Sequence, residues 1–273
     1  MLKAILYYIL FLAEYLITIF MGGFLIGLYM AMNIPSGSHS QQIEGQEESI
    51  YPFIQEESIY SFIMVIGFLA ILIVWFTFGH YKFSRFSLGK VIPAAKWKAM
   101  TICTMPILGF TMVFYSIMNL FHLDFLPKQM MEISYLGFLP YNIIGSFISA
   151  YIFFGAIQEE LIRCGKKRWV QLLTLSIMML PACMMSVTPS GDINVDLTVL
   201  GFITLCYCSW IYGKTRSTII LIVLYFISSL VPFHFESKVL GMLLLIAGTA
   251  LTIGGFAALS RKLPEMLVKD ENE

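Results

Sequence analysis

Eight stretches of this chain are apolar for about the thickness of a bilayer, and they constrain the fold more than any other feature. They are residues 5–32, 61–79, 99–121, 141–157, 169–188, 195–212, 217–233 and 239–260. A hydrocarbon core about 30 Å thick takes roughly 20 apolar helical residues, so the expected fold is all-α: a polytopic membrane protein, a bundle of about eight transmembrane helices. Composition agrees, since 58% of the residues are hydrophobic and 12% charged, which leaves too little polar surface for a soluble globule. The first run, 28 residues without a small-residue cleavage site, is too long for a signal peptide and is expected to stay attached.

Several connections are very short, such as Gly213–Arg216, so the helices they join must be antiparallel neighbours. Orientation follows from the basic residues, which are retained on the cytoplasmic side of a span. With the N-terminus inside, 15 of the 17 Lys and Arg residues are cytoplasmic, and only Lys128 and Lys238 lie outside. Eight spans with both termini cytoplasmic fit this asymmetry, and removing one span would invert everything after it. The chain divides into residues 1–98, with an acidic external loop at 34–60 and a basic cytoplasmic loop at 80–98; a membrane core at 99–233; and a last span with its tail at 234–273.

The formal net charge is zero, and the basic residues come in short clusters, which excludes the continuous positive field that nucleic-acid binding needs. Cys103, Cys164, Cys183, Cys206 and Cys208 lie in apolar runs or on the cytoplasmic side, where a disulfide framework is not expected. Residues 34–60 carry Glu44, Glu47, Glu48, Glu56 and Glu57 and repeat "EESIYPFIQ" as "EESIYSFIM". These carboxylates lack the ligand spacing of a calcium loop and read as a solvated segment. Residues 121–140 read as an interfacial stretch.

Two glutamates and an arginine in "FFGAIQEELIRCGKKRW", residues 153–169, close the fourth run. An ionisable group at helix-centre depth costs about 2.5–3.5 kcal/mol on insertion scales and takes a partner or faces a cavity. Glu159 and Arg163 stand four apart with the acid first, the favourable order for a pair on one helical face. Gln158 and Glu160 are each turned about 100° from Glu159, so no single lipid-facing stripe accommodates all three. The same residues also fit the ordinary end of a span, anchored by Arg163 and the basic cluster Lys166–Arg168.

"AIQEELIRCG" resembles the first motif of the CAAX-protease and bacteriocin-processing membrane proteins, the Abi family: two glutamates, three residues, then arginine. The resemblance runs from about Met100 to Ser229, led in by "LGKVIPAAKWK", and includes "YGKTRS" at residues 212–217, similar to the turn before the family's last motif helix. It implies an intramembrane peptidase core in a bacterial cytoplasmic membrane, in which the first motif glutamate activates water and histidines from two later helices orient the water or hold a metal. A general base must take a proton from water, and imidazoles supply the nitrogen ligands of a metal such as zinc. Counting back from Arg163, the base position falls on Gln158, whose carboxamide has no basic site. The second-motif histidine, expected after a phenylalanine position that Leu180 occupies, falls on Met184, and the histidine and polar positions of the last motif fall on Tyr225 and Ser229. Glu159 and Arg163 keep the family's residues.

The resemblance therefore implies the architecture without the reactants: a non-catalytic scaffold, immunity factor or maturation partner that binds another membrane protein or peptide, with no cofactor. A working peptidase with Glu159 or Glu160 as base stays open. Of His39, His80, His122 and His234, only His80 would lie on the right side of the membrane to help, and zinc would be needed. A small proton-coupled transporter is the third reading, in which Glu14, another intramembrane carboxylate, relays protons or pairs with Asn119 or Gln158.

Overall fold

The computed structural model describes residues 2–33, 66–67, 69, 89–121, 143–184, 195–229 and 237–268. Helices occupy seven of the eight expected runs, and among the described residues there is no β-strand, only an isolated bridge between Val91 and Leu267. The second run lies almost wholly outside the described residues. So do the duplicated acidic loop, residues 122–140 and all four histidines.

Helix α1 is Leu2–Asn33. A turn of 3₁₀-helix at Pro93–Ala95 starts with proline, whose fixed φ suits a first helical position, and leads into α2, Lys96–Leu120. The expected boundary at residue 98 thus falls inside a helix. Helix α3 is continuous over residues 143–163: α-helical at 143–148, π-helical at Ser149–Gln158 and α-helical again at Glu159–Arg163. It runs six residues past the span expected at 141–157. Helix α4 is Arg168–Met184, α5 is Val195–Thr215, α6 is Thr218–Ser229 and α7 is Lys238–Met266.

Among the described residues, the middle of α3 is the most enclosed stretch of helix. Every residue from Ala150 to Gln158 is buried, and Tyr151, Ile152, Phe154 and Ile157 are among the largest fully buried side chains. A helix apolar all round has to be surrounded, and α1, α4, α5 and α6 all pack against this stretch. Phe11 of α1 meets Phe153 edge-on at 5.2 Å, and Phe154 lies 6.2 Å from both Tyr212 of α5 and Tyr225 of α6. Gly155 admits Thr218 of α6, to which a Cβ would stand 3.1 Å away.

Among the described residues the most extensive helix pair is α2 with α7, which run antiparallel. Gly241, Gly248 and Gly255, seven apart, form the buried edge of α7, and a period of seven keeps one edge of a helix facing its partner. A Cβ on Gly248 would fall 2.7 Å from Gly109 O, and one on Gly255 would fall 2.8 Å from Pro106. Close backbone approach through small residues is the usual means of helix association where lipid removes the hydrophobic driving force. Other positions of α7 are apolar and exposed, with Met242, Leu243, Ile246 and Ile253 all more than half accessible. Among the described residues, 93–120 and 238–266 are long and apolar enough to cross a membrane.

Candidate functional site

The polar cluster forms where α3 leaves its π-helical stretch. A π-turn bonds i to i+5, and such turns concentrate at functional sites; here the Glu159 amide still donates to Phe154 O. Gln158 therefore ends up directed inward between α4 and α5. Its residue is 1% exposed, and its Nε2 donates to Ser209 O at 2.9 Å and to Gln171 Oε1 at 3.3 Å. Gln171 Nε2 in turn donates to Lys166 O at 2.7 Å. One amide chain thus ties α3, α4, α5 and the α3–α4 turn together. Among the described residues, Gln158 Oε1 is buried without a hydrogen-bond partner.

Glu159, the next residue, meets three groups. Arg216 Nη1 lies 2.6 Å from Oε2, the Tyr212 hydroxyl donates to the same oxygen at 3.1 Å, and Arg163 Nε stands 3.5 Å from Oε1. The expected Glu159–Arg163 pair is present, but it is the weaker one. The Arg163 side chain is 42% exposed against 23% for Arg216. An exposed i,i+4 pair contributes about 0.3–0.5 kcal/mol, whereas a short hydrogen bond to a charged group contributes about 1.5–3 kcal/mol. Arg216 is therefore the main partner of Glu159.

The turn that supplies Arg216 is shaped for it. The Arg216 amide donates to Tyr212 O at 2.8 Å, closing the end of α5 with a residue in the left-handed region, where glycine is the usual occupant. Arg216 has φ 51°, a conformation that costs an L-residue about 1–2 kcal/mol. Thr215 Oγ1 donates to Ile211 O at 3.0 Å and accepts from the Ser217 amide at 3.4 Å, which steadies the turn on both sides.

The remaining motif positions do not form one cluster. Tyr225 lies on the same seam as Gln158, through Phe154, and faces the buried Cys208. Met184 closes α4, 13 residues beyond Gln171, or about 20 Å of helical rise. Ser229 is the last residue of α6. Glu160 is half-buried on the α1 side, within electrostatic reach of Tyr7. Glu14 is half-buried on α1, while the amide of Gln158 is directed to Ser209 and Gln171. Among the described residues, no three His, Cys, Asp or Glu side chains come together as a metal-ligand set.

Arg216, Tyr212 and Gln171 escaped the sequence reading as members of the site. "YGKTRS" held two of them, but a turn 53 residues downstream of Glu159 reveals its direction only once the helices are packed. No protein-family profile, curated protein or solved structure matches the chain.

Proposed function

We propose that this chain is an eight-span helical protein of a bacterial cytoplasmic membrane, with both termini cytoplasmic, built on the CAAX-protease plan and acting without catalysis. It binds another membrane protein, a peptide or a lipid-modified chain as a scaffold, immunity factor or maturation partner. One observation carries the reading: the polar groups at the motif are engaged in holding helices together. Glu159 is neutralised by Arg216 and Arg163, and the Gln158 amide is bound to Ser209 and Gln171.

A carboxamide has no basic site that could take a proton from water, and the carboxylate beside it is held between two guanidinium groups. Fold without chemistry is a common outcome, because activity resides in the site and not in the scaffold. The exposed apolar faces of α1 and α7 and the two helices long enough to cross a bilayer support the membrane part of the reading.

The test is reconstitution of the full chain in nanodiscs with added zinc and a library of membrane and prenylated peptides. The expected result is saturable binding without cleavage, unaltered by chelator. Chelator-sensitive cleavage lost in Glu159→Gln or Glu160→Gln would replace this reading with the peptidase one.

A further inference from the structure

Residues 89–92 precede α2 and lie across two other parts of the molecule. The Lys90 amide donates to Thr215 O at 2.6 Å, the Ile92 amide donates to Met266 O at 3.0 Å, and Val91 bridges to Leu267. Gly89 has φ +20°, and a Cβ placed on it would come within 2.4 Å of Thr215 O and 2.9 Å of Arg216 C. This strap is anchored on the end of α7 and presses on the turn between α5 and α6. It meets the turn at the residues with the least relaxed backbone.

A non-glycine residue keeps a left-handed conformation only where its surroundings over-determine it. Around Arg216 there are two such restraints: the strap on the backbone and the Glu159 carboxylate on the guanidinium. Either one opposes relaxation of the turn, and relaxation defeats both. We propose that residues 89–92 are a latch coupled to Glu159 through Arg216. With the strap seated, Arg216 is left-handed and Glu159 is locked in its ion pair. With the strap lifted, Arg216 leaves that conformation, its guanidinium withdraws and the Glu159 carboxylate keeps only Arg163 and the Tyr212 hydroxyl.

Tension on the chain before Gly89, or on the end of α7, is thereby transmitted to the polar cluster on α3. The latch is independent of whether the cluster cleaves peptides. Coupling of this kind is reciprocal: if the strap biases the ion pair, the ion pair biases the strap equally.

Amide hydrogen exchange on the full chain in nanodiscs, read by mass spectrometry, tests the coupling. Glu159→Gln is expected to speed exchange at Lys90 by about tenfold, the loss of one charge-assisted bond. Gly89→Val is expected to do the same at Arg216. Exchange around Gly248, on the α2–α7 crossing, should stay unchanged in both, and the double variant should fall short of the product of the single effects. Unchanged exchange at Lys90 in Glu159→Gln, acceleration that also reaches Gly248, or fully multiplicative effects would each overturn the latch. If Gly89→Val does not fold, Glu159→Gln decides by itself, since it leaves the strap sequence intact.

Discussion

Arg216 reaches back 57 residues to place Nη1 2.6 Å from Glu159 Oε2, while Arg163, one helical turn from Glu159, stands at 3.5 Å. The distant partner outcompetes the local one because it is less exposed and approaches an oxygen already held by the Tyr212 hydroxyl.

Arg216→Ala should therefore destabilise the protein by about 1.5–3 kcal/mol, and Arg163→Ala by no more than about 0.5 kcal/mol. Unfolding in mixed detergent micelles measures both. Equal losses, or a larger one for Arg163, would contradict the ranking of the two arginines.

The left-handed backbone of Arg216 gives a sharper expectation. Arg216→Gly relieves a conformational cost of about 1–2 kcal/mol but removes the ion pair, so in the natural chain the substitution should lower stability or leave it unchanged. In a Glu159→Gln background there is little pair left to lose, and the same substitution should stabilise. If Arg216→Gly does not stabilise the Glu159→Gln protein more than it does the natural chain, read by the same unfolding assay, the ion pair does not hold the turn.

Gln158 changes most between sequence and structure. A motif position emptied of its chemistry predicts that Gln158→Ala is nearly silent. Its burial and its bonds to Ser209 and Gln171 predict instead a loss of about 1–3 kcal/mol. Gln158→Glu should cost at least as much, because a carboxylate cannot donate to Ser209 O, and it should not create peptidase activity. Thermal retention of monodisperse protein, with a peptide-cleavage assay alongside, checks both.

On α7 two glycines separate packing from propensity. A Cβ on Gly248 would meet Gly109 O at 2.7 Å, whereas Gly254 has nothing within 4 Å. Gly248→Ala should cost about 1–3 kcal/mol through overpacking. Gly254→Ala should be neutral or stabilising by up to about 1 kcal/mol through helix propensity. Equivalent effects would mean that the helices do not approach through Gly248.

The helices were legible because a run of apolar residues long enough to span a bilayer leaves the backbone few alternatives. The Glu159–Arg163 contact was legible because i,i+4 neighbours are fixed by helix geometry alone. The π-helical turns of Ser149–Gln158 were not: in a segment buried all round, an apolar sequence carries no phase that distinguishes i+4 from i+5 bonding. Nor was the role of Gln171, the one amide side chain on its helix, because its partner Gln158 approaches across a hairpin. The heptad Gly241, Gly248 and Gly255 was not singled out from the sequence, because its meaning depends on α2 presenting Pro106 and Gly109 opposite.

The antiparallel crossing of α2 and α7 also sets an order of assembly. Gly109 and Gly248 are 139 residues apart in sequence, so at a synthesis rate of about 5–20 residues per second the earlier helix waits about 7–28 seconds for its mate. Throughout that interval the edge of α2 that carries Pro106 and Gly109 lacks the surface that covers it in the folded chain, so this part of the fold closes only when the late helix docks.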